Sequence, residues 1–465
     1  MSDAATAVRP SAPSAAPATL AERMAAAIVR QRDVAVPAVA AEKLKTCLLD
    51  FLACAFEAHT LPWARQAQMI ATDGAGPANI VGTPLSVPAP DAVFANSVAG
   101  HGLVREDMHT GSVSHLGIVV LPVLLALAEE KKVDGRAFIA AAIAGYEVGG
   151  RFGRALITPD FARIFRPTGF CGPMAAAAAA STLLGYDARK TQNALSLSAN
   201  MVAGQNQWPH TGADEMFFEA GMAARNGLTA ARLAGLGAYG SEKALDGEAG
   251  LLTAYRPDHK APDIRLFDGE PEILSVFFKP APVCNFAQTP SLAALALANP
   301  ETIDPDQVVS ITARVTKAAK AYPGCDYAGP FSRVLQAKMS IHYAVASAIL
   351  RKKIDEASYR NLDDPALLAL AAKVTAEVDD GLTAAFPKKQ GAEVSVTLKD
   401  GRTLSRRLED VIPADIPLIR RRFDEAASET IGAARARELA EAVDGLDRSG
   451  DVGAIMRLTR TAARA

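Results

Sequence analysis

The amino-acid sequence predicts a mainly helical protein that carries a smaller α+β domain late in the chain. From residue 20 to residue 266, apolar residues recur at three- and four-residue spacing, the pattern of helices that bury one face. Residues 267–408 are instead rich in β-branched and aromatic side chains, which is typical of strands. Residues 409–465 return to a charged helical pattern. We therefore expect a discontinuous helical domain, 20–266 and 409–465, with an α+β domain inserted into it.

The composition is that of a globular protein without an extreme charge. Of the 465 residues, 49% are hydrophobic, and the formal net charge is −2, so nothing favours nucleic-acid or membrane partners. The five cysteines are scattered and form no CxxC pair, which favours a reduced, cytoplasmic setting. Residues 1–19 are rich in Ala, Ser and Pro and are expected to form a disordered tail.

Helices account for the first domain, and polar loops connect them. Asp91, Asp134 and Asp187 are the expected N-caps of three of these helices. The predicted helices cover residues 19–32, 37–58, 91–100, 118–130, 135–156, 174–184, 188–204 and 217–237. Loops are predicted at 59–89, 101–117, 161–173 and 205–215.

The α+β domain is predicted from three strand-like runs and two helices. Residues 272–283 and 308–317 are rich in β-branched and aromatic side chains, and 392–410 alternates around an Asp400-Gly401 turn that predicts a hairpin. Helices are predicted at 288–299 and 334–353, and the charged helix of the return segment at 419–443.

The loop at residues 101–117 concentrates groups that can transfer protons or bind anions. It contains His101, Arg105, Glu106, Asp107, His109 and His115. An apolar helix follows directly, and a polar loop on a rigid apolar element is a common place for catalysis. The spacing matches no standard metal site, so no metal is expected, and no GxxxxGKS/T or GxSxG motif occurs. The alternative to catalysis is an ordered loop whose charges pair with one another.

Six blocks of the sequence, in order and with the expected spacing, resemble the MmgE/PrpD family. The blocks are residues 101–117, 121–153, 166–185, 217–237, 277–288 and 337–349. The resemblance implies a helical bundle domain with an α+β lid inserted into it and an active site between the two. It also implies a homodimer, no cofactor and a small di- or tricarboxylate substrate. Members include 2-methylcitrate dehydratases, cis-aconitate decarboxylases and an iminodisuccinate epimerase, whose histidine loop is similar to this one.

The chain departs from the residues that lyase members of the family usually carry. The departures are Val104 for aspartate, Met108 for threonine, Arg166 for the histidine of a Phe-His-Pro element, Met216 and Glu219 for lysine and histidine, and Gln288 for histidine. Val104 and Met108 cannot transfer protons, and Arg166 stays charged at neutral pH. Dehydration needs a placed acid and a placed base, so these changes argue against it.

The loop and the resemblance together give the expected site residues. The expected catalytic residues are His101, Asp107, His109, His115 and Tyr146, and the expected substrate-binding residues are Arg105, Arg166, Lys279 and Gln288. We expect His109 and His115 to be the acid and the base, and Asp107 to orient a histidine or the loop. Arg166 and Lys279 should both face the cleft between domains and bind carboxylates. The alternative for Arg166 is an ion pair with Glu219.

The expected function is a cofactor-independent epimerase or racemase that exchanges a proton next to a carboxylate of a small imino- or amino-dicarboxylate such as iminodisuccinate. The loss of lyase groups beside retained histidines and cations favours it. One alternative is a lyase, of the 2-methylcitrate dehydratase or cis-aconitate decarboxylase type, with a rearranged acid–base set. A second alternative is a binding or regulatory protein without catalysis.

Overall fold

A computed structural model describes residues 17–71, 75–256, 263–299 and 303–462. The tail predicted for residues 1–19 lies outside this range except for its last three residues. Thr19 begins the first helix: its hydroxyl accepts from the Glu22 backbone N–H at 3.3 Å, and the Glu22 carboxylate accepts from the Thr19 N–H at 2.8 Å. This reciprocal pair is a capping box, which satisfies two backbone donors at the helix start.

The described chain is mostly helical, with short strands, which confirms the predicted fold class. The helices are Leu20–Gln31 (α1), Ala38–Ala58 (α2), Pro62–Ile70 (α3), Ala89–His101 (α4), Gly117–Glu130 (α5), Gly135–Leu156 (α6), Pro159–Ile164 (α7), Pro167–Leu183 (α8), Ala188–Ala199 (α9), Trp208–Thr211 (α10), Glu215–Gly235 (α11), Leu251–Tyr255 (α12), Gln288–Ala298 (α13), Lys317–Ala321 (α14), Val334–Met339 (α15), Ile341–Arg351 (α16), Pro365–Ala371 (α17), Asp380–Ala385 (α18), Ile416–Ile431 (α19), Ala433–Asp444 (α20) and Gly453–Leu458 (α21). The strands are Ala78–Asn79 (β1), Ser86–Val87 (β2), Met108–His109 (β3), Val276–Phe277 (β4), Val308–Val315 (β5), Val374–Val378 (β6), Ala392–Leu398 (β7) and Thr403–Leu408 (β8). Within the described ranges, no helix is long and apolar enough to cross a bilayer.

Helix α5 lies at the centre of the helical domain, which comprises α1–α12 and α19–α21. Its residues from Gly117 to Ala128 are all buried, and it packs against α4, α6, α8 and α11. A helix that is apolar on every side needs neighbours on every side. Small residues allow close approach, since a Cβ on Gly145 of α6 would lie 2.8 Å from the Val120 side chain. The polar loop that precedes α5 therefore rests on a rigid platform.

A four-stranded sheet forms the centre of the inserted domain, the chain from β4 to β8. The strand order is β6-β5-β7-β8, with β5 parallel to β6 and antiparallel to β7. Strands β7 and β8 form the predicted hairpin, with Gly401 at φ +86° in the turn, a conformation that glycine adopts without strain. Helix α13 packs against β7 and β8, and α16 packs against α13.

The return segment packs against the helices of the first part of the chain. Phe423 of α19 meets Phe56 of α2 edge to face, with ring centroids 6.4 Å apart. Farther on, the Val452 N–H donates to the Val133 carbonyl at 2.9 Å. Helices α19–α21 therefore pack against helices from the first part of the chain, among them α2 and α5.

Three helices begin at prolines that the prediction did not treat as helix starts. Helix α3 begins at Pro62 inside the predicted loop 59–89, α7 begins at Pro159 and runs into the predicted loop 161–173, and α8 begins at Pro167 inside that loop. The prediction treated proline as a loop signal, but its fixed φ suits the first helical turn. Asp91 is likewise in the first turn of α4 rather than its N-cap.

The inserted domain also differs from the prediction at three places. The strand predicted at 272–283 shrinks to β4, because Glu272–Ser275 forms a 3-10 turn and the prolines that follow β4 lack the N–H a ladder needs. Strand β6 was not predicted. The helix predicted at 334–353 breaks at Ser340, whose hydroxyl caps α16 by accepting from the Tyr343 N–H at 3.0 Å.

The buried ring of Phe423 predicts that the return segment is integral to the helical domain. Phe423→Ala removes a core side chain and leaves a cavity, so the free energy of unfolding should fall by about 3–5 kcal/mol. Chemical denaturation measures the loss. Ile416→Ala, at an exposed position of the same helix, is the control and should change stability by less than about 0.5 kcal/mol. Equal stability of the two variants would show that the segment is dispensable for folding.

Candidate active site

Two buried lysines of the inserted domain hold the turn that ends α4. The Lys279 ammonium donates to the Val104 carbonyl, and the Lys338 ammonium donates to the Leu103 carbonyl at 2.8 Å. Carbonyls that follow a helix C-terminus lack partners within the helix, and cations are favourable there. Strand β3 of the same loop pairs with β4. The loop between α4 and α5 is therefore fixed by both domains.

A narrow cleft lies beside this turn, between the two domains. Its cavity volume is only about 20 Å³. The side chains that line the cleft must therefore move before a substrate can enter. The helical domain contributes Val104, Met108, Val113, His115, Arg166 and Met216, and the inserted domain contributes Lys279, Cys284, Asn285, Phe286, Tyr322 and Met339. Arg166 and Lys279, from different domains, both line it.

One buried carboxylate organises two histidines at the cleft. Glu106 Oε1 lies 2.5 Å from His101 Nδ1 and 2.9 Å from His115 Nδ1. Burial opposes ionisation, but the two histidines hold the pKa of Glu106 well below its usual range. Arg166 Nη2 donates to His101 Nε2 at 2.9 Å. This nitrogen must accept, so the Nδ1–H of His101 faces Glu106.

His115 is the histidine that lines the cleft. Its Nδ1 lies 3.0 Å from the Asp107 carbonyl and also faces Glu106, so Nδ1 carries the proton. Nε2 is then unprotonated and has no hydrogen-bond partner among the described residues. Burial, partly opposed by Glu106, lowers the pKa of His115 to about 4. His115 is therefore a neutral imidazole at neutral pH.

The cleft has an excess of positive charge. Arg166 is buried, with its guanidinium 5.5 Å from the Trp208 ring, and its charge acts on the Tyr322 hydroxyl. Burial lowers the pKa of Lys279 to about 8, while Glu106 opposes the shift. Two cations, Arg166 and Lys279, thus line the cleft, whereas the nearby Glu106 carboxylate is already shared by two histidines. Such a site favours an anion, and a carboxylate in particular.

Asp107 and Tyr146 lie one layer behind the cleft. The Tyr146 hydroxyl donates to Asp107 Oδ2 at 2.7 Å, and the Gly117 N–H at the start of α5 donates to Oδ1 at 3.1 Å. A Cβ at Gly117 would lie 2.7 Å from this carboxylate, so glycine allows the contact. Burial raises the pKa of Asp107 to about 6. Asp107 therefore links His115, through its backbone carbonyl, to the start of α5, through its carboxylate.

The structure does not bring His109 into the cleft. Its Nδ1 lies 2.8 Å from Ser112 Oγ, and its Nε2 lies 2.8 Å from Glu272 Oε2. Arg151 and Arg154 also bind the Glu272 carboxylate, at 3.0 and 2.8 Å. Both ring nitrogens are used and fully enclosed, so the expectation that His109 is half of the acid–base pair needs correction. His109 joins β3 to the chain before β4.

Two of the expected substrate-binding residues are also occupied elsewhere. Arg105 forms an ion pair with Glu57 at 2.7 Å and does not line the cleft. Gln288 accepts from the Ala281 N–H at 3.2 Å and donates to the carbonyls of Ala281 and Val283 at 2.8 and 2.9 Å. Its amide therefore fixes the loop after Lys279 instead of facing a ligand. Local sequence could not reveal either partner, because packing chooses them.

Comparison with known proteins gives the family. The family model described as the MmgE/PrpD N-terminal domain matches residues 22–262, and that of the MmgE/PrpD C-terminal domain matches residues 281–448. The chain belongs to the MmgE/PrpD family. This match confirms the resemblance seen in the sequence. The curated relatives of the chain are enzymes, which supports the expectation that it is an enzyme.

Several curated relatives share most of the length of this MmgE/PrpD chain. A cis-aconitate decarboxylase-like protein of Aspergillus oryzae is 26% identical, over 91% of this chain and 93% of the relative. A cis-aconitate decarboxylase of Aspergillus terreus is 24% identical, over 91% and 92%. The human cis-aconitate decarboxylase is 28% identical, over 70% and 68%. These relatives favour lyase chemistry over the expected epimerase chemistry.

Among the family departures, the structure places three apolar residues in the cleft: Val104, Met108 and Met216. Glu219 is partly buried near Arg166 and forms no ion pair with it among the described residues, and desolvation raises its pKa to about 8. At neutral pH Glu219 is therefore mostly protonated, so the alternative in which it neutralises Arg166 is not favoured. The positive charge of Arg166 stays available to a ligand.

Sequence reasoning missed the cleft residues of the inserted domain other than Lys279. Cys284 and Asn285 follow Lys279 within the family block 277–288, so the position of Lys279 could have pointed to them. Tyr322 lies between α14 and α15 in a stretch with no motif. Only its contact with Arg166 reveals it.

Glu106 and its two histidines are of the residue types that bind metal ions. The ligating atoms of His101, Glu106 and His115 lie within 4.8 Å of one another, and two histidines with a carboxylate are a common ligand set. However, Nδ1 of each histidine already faces the carboxylate, and the cations Arg166 and Lys279 oppose a further positive charge. The donor set fits a hydrogen-bonded cluster better than a metal centre.

His115 predicts a pH dependence of stability. Its folded pKa of about 4 lies below the unfolded value near 6.5, so the unfolded chain binds this proton first as the pH falls. The contribution of neutral His115 to stability is complete above pH 6.5 and is lost as the pH falls toward 4. Over this range the free energy of unfolding of the wild type should fall by about 3 kcal/mol more than that of His115→Gln. Urea denaturation across this range measures it. A pH-independent difference would contradict it, and the exposed-site control His210→Gln should follow the wild type.

The enclosed contacts of His109 predict a structural phenotype. His109→Gln should lower the free energy of unfolding by about 1–3 kcal/mol, because buried charged partners lose a hydrogen bond. Its kcat should fall by less than about 10-fold, below the 100-fold or more that loss of a general acid or base costs. Turnover and denaturation are measured on the same preparations. A kcat loss above 100-fold with unchanged stability would return His109 to the chemistry.

Proposed function

We propose that this MmgE/PrpD chain is a lyase that decarboxylates a small di- or tricarboxylic acid in the cleft between its two domains. The decisive observation is the pairing of two buried cations, Arg166 and Lys279, with an apolar wall in one cleft. The curated relatives support the same class, since they are named as cis-aconitate decarboxylases or as a protein like them.

The cations account for substrate binding. The guanidinium of Arg166 offers a planar pair of donors to a carboxylate, and the ammonium of Lys279 offers a second positive charge from the opposite domain. The substrate loses water on entering a narrow cleft, so its charges need partners on more than one side. A substrate with two or three carboxylates meets this need, whereas a neutral molecule would leave the cations unpaired.

The apolar wall accounts for the choice of decarboxylation. Val104, Met108 and Met216 offer no hydrogen bond to a carboxylate held against them. A carboxylate there is destabilised relative to neutral CO2, so the environment favours loss of the leaving group. Dehydration would instead need an acid beside the departing hydroxyl, and these positions carry none.

The cations also stabilise the electrons that remain. When the carbon–carbon bond breaks, its electron pair moves onto the remaining unsaturated or carboxylate system as an enolate-like anion. Arg166 and Lys279 lie where such charge can be stabilised without reorganisation of solvent. A proton must then reach the carbon. Neutral His115 cannot supply one until it is itself protonated.

Epimerisation is the second candidate, and the free Nε2 of His115 is the observation that favours it. An unprotonated imidazole in the cleft could remove a proton next to a carboxylate, and the same cations would stabilise the resulting enolate. The curated relatives favour the lyase. The two reactions differ in one product, because only the lyase releases CO2.

One experiment separates these possibilities. The purified protein is incubated in D2O with cis-aconitate and a panel of di- and tricarboxylates, including iminodisuccinate, and followed by proton NMR and CO2 detection. Decarboxylation predicts CO2 release with one deuterium incorporated per product. Deuterium exchange without CO2 would replace the lyase with the epimerase. Neither signal from any acid would overturn the proposed function.

Arg166 gives a residue-level prediction. Arg166→Ala should raise KM by about 10- to 100-fold, since a charge-assisted hydrogen bond contributes roughly 1.5–3 kcal/mol. Arg166→Lys should recover little of this, because an ammonium lacks the planar pair of donors. Arg189→Ala, at an exposed ion pair, is the control and should keep the wild-type KM. Steady-state kinetics with the acid identified above measures all four proteins, and an unchanged KM in Arg166→Ala would contradict carboxylate binding by Arg166.

A further inference from the structure

Two thiols that are distant in sequence meet at the cleft. Cys284 and Cys325 have sulfur atoms 3.7 Å apart, within hydrogen-bonding distance for sulfur, and both are buried. Cys284 is also a wall of the cleft that holds Lys279 and Arg166. The other three cysteines, Cys47, Cys54 and Cys171, are buried within α2 and α8. Cys284 is the cysteine that a bound substrate could contact.

The backbone fixes Cys284 at the start of a helix. Its N–H donates to the Lys338 carbonyl at 2.8 Å, and the loop before it is fixed by the three backbone contacts of Gln288. The residues that follow form a 3-10 turn, Asn285–Ala287, which continues directly into α13. A cysteine at a helix N-terminus faces free N–H groups and the positive end of the helix dipole.

The groups around Cys284 favour its ionised form. When Cys284 is ionised, the Cys325 thiol donates to it, and Lys279 and Arg166 add positive charge. Together with the nearby Phe286 N–H they outweigh burial and hold the pKa of Cys284 below that of a free thiol. Burial and the neighbouring sulfur raise the pKa of Cys325. Tyr322, which also faces this sulfur, has its pKa raised to about 12 by burial and stays neutral. Cys325 thus keeps its proton, and Cys284 is the thiol that can give one up.

We propose that Cys284 is a catalytic residue of the cleft, a thiol that gives its proton to the substrate carbon from which the carboxylate has left. Cys325 is the positioning residue that holds the resulting thiolate by a hydrogen bond. This inference rests on the proposed decarboxylation. A thiol suits this role because a general acid works best when its proton affinity matches the operating pH. The ammonium of Lys279 is already engaged with the Val104 carbonyl.

The step balances without an oxidant or a second substrate. The bond from carbon to the leaving carboxylate breaks, CO2 departs, and its electron pair becomes an enolate-like anion. The S–H bond of Cys284 then breaks, and its proton forms the new C–H bond. The thiolate that remains is stabilised by the positive charge of Lys279 and by a hydrogen bond from the Cys325 S–H, and it takes a proton from water before the next turnover.

The ionisation of Cys284 can be measured without turnover. The ultraviolet absorbance of thiolate is titrated with pH for the wild type, Cys284→Ser and Cys325→Ala, with Cys171→Ala as the matched control. The wild type and the control should gain one thiolate below the pH range of an ordinary cysteine, about 8.5. Cys284→Ser should lack this signal, and Cys325→Ala should show it at higher pH. An identical titration in Cys284→Ser would overturn the inference.

Turnover tests the catalytic role. Cys284→Ser keeps the shape of the side chain but not its acidity, so kcat should fall by about 100-fold or more while KM stays within about threefold. Cys325→Ala should show a smaller fall in kcat, with its pH–rate profile moved to higher pH, and Cys171→Ala should match the wild type. Cys284→Ala serves as a second variant if the serine protein folds poorly.

The outcomes separate the two proposals. Full activity in Cys284→Ser, with CO2 released by the wild type, would overturn the role of Cys284 and leave the decarboxylase standing. No CO2 from the wild type with any acid of the panel would overturn the decarboxylase, and the catalytic role of the thiol with it. A large kcat loss together with loss of the low-pH thiolate would support both.

Discussion

A buried carboxylate, Glu106, sets the arrangement of the candidate site. Its charge is held between His101 and His115, and His101 in turn accepts from Arg166. A buried charge is stable only when its partners satisfy it, so these four groups depend on one another. The arrangement fixes the tautomer of His115 and aims an unprotonated nitrogen at the cleft. It also leaves Lys279 as a cation without a carboxylate of its own.

Buried charges that need partners also join the two domains. Lys279 and Lys338 come from the inserted domain, yet their ammonium groups satisfy carbonyls at the end of α4. Lys338 also pairs with Glu356 at 2.6 Å. Because a desolvated lysine without such partners would be costly, the domains cannot separate fully without rehydrating both. The cleft is therefore formed by contacts that also hold the protein together.

Family membership and the departures from the family lead to one consistent picture. The MmgE/PrpD match and the decarboxylase relatives fix the architecture and favour lyase chemistry. Val104, Met108 and Met216 remove polar groups from the cleft, while Arg166 adds a fixed charge. In the proposed decarboxylation the proton must come from another group, and the paired thiols of Cys284 and Cys325 are the candidates beside the cations.

The sequence by itself determined the fold class, the caps at Asp134 and Asp187, the β7–β8 hairpin and the loop that holds the histidines, because periodicity, capping and turn chemistry act over a few residues. Only the tertiary structure decided which histidine faces the cleft. His109 and His115 look equivalent in sequence, but His109 is hydrogen-bonded to Glu272, which lies 163 residues further along the chain. Cys284 and Cys325 likewise meet across 41 residues. Such partners are chosen by packing, which no local pattern records.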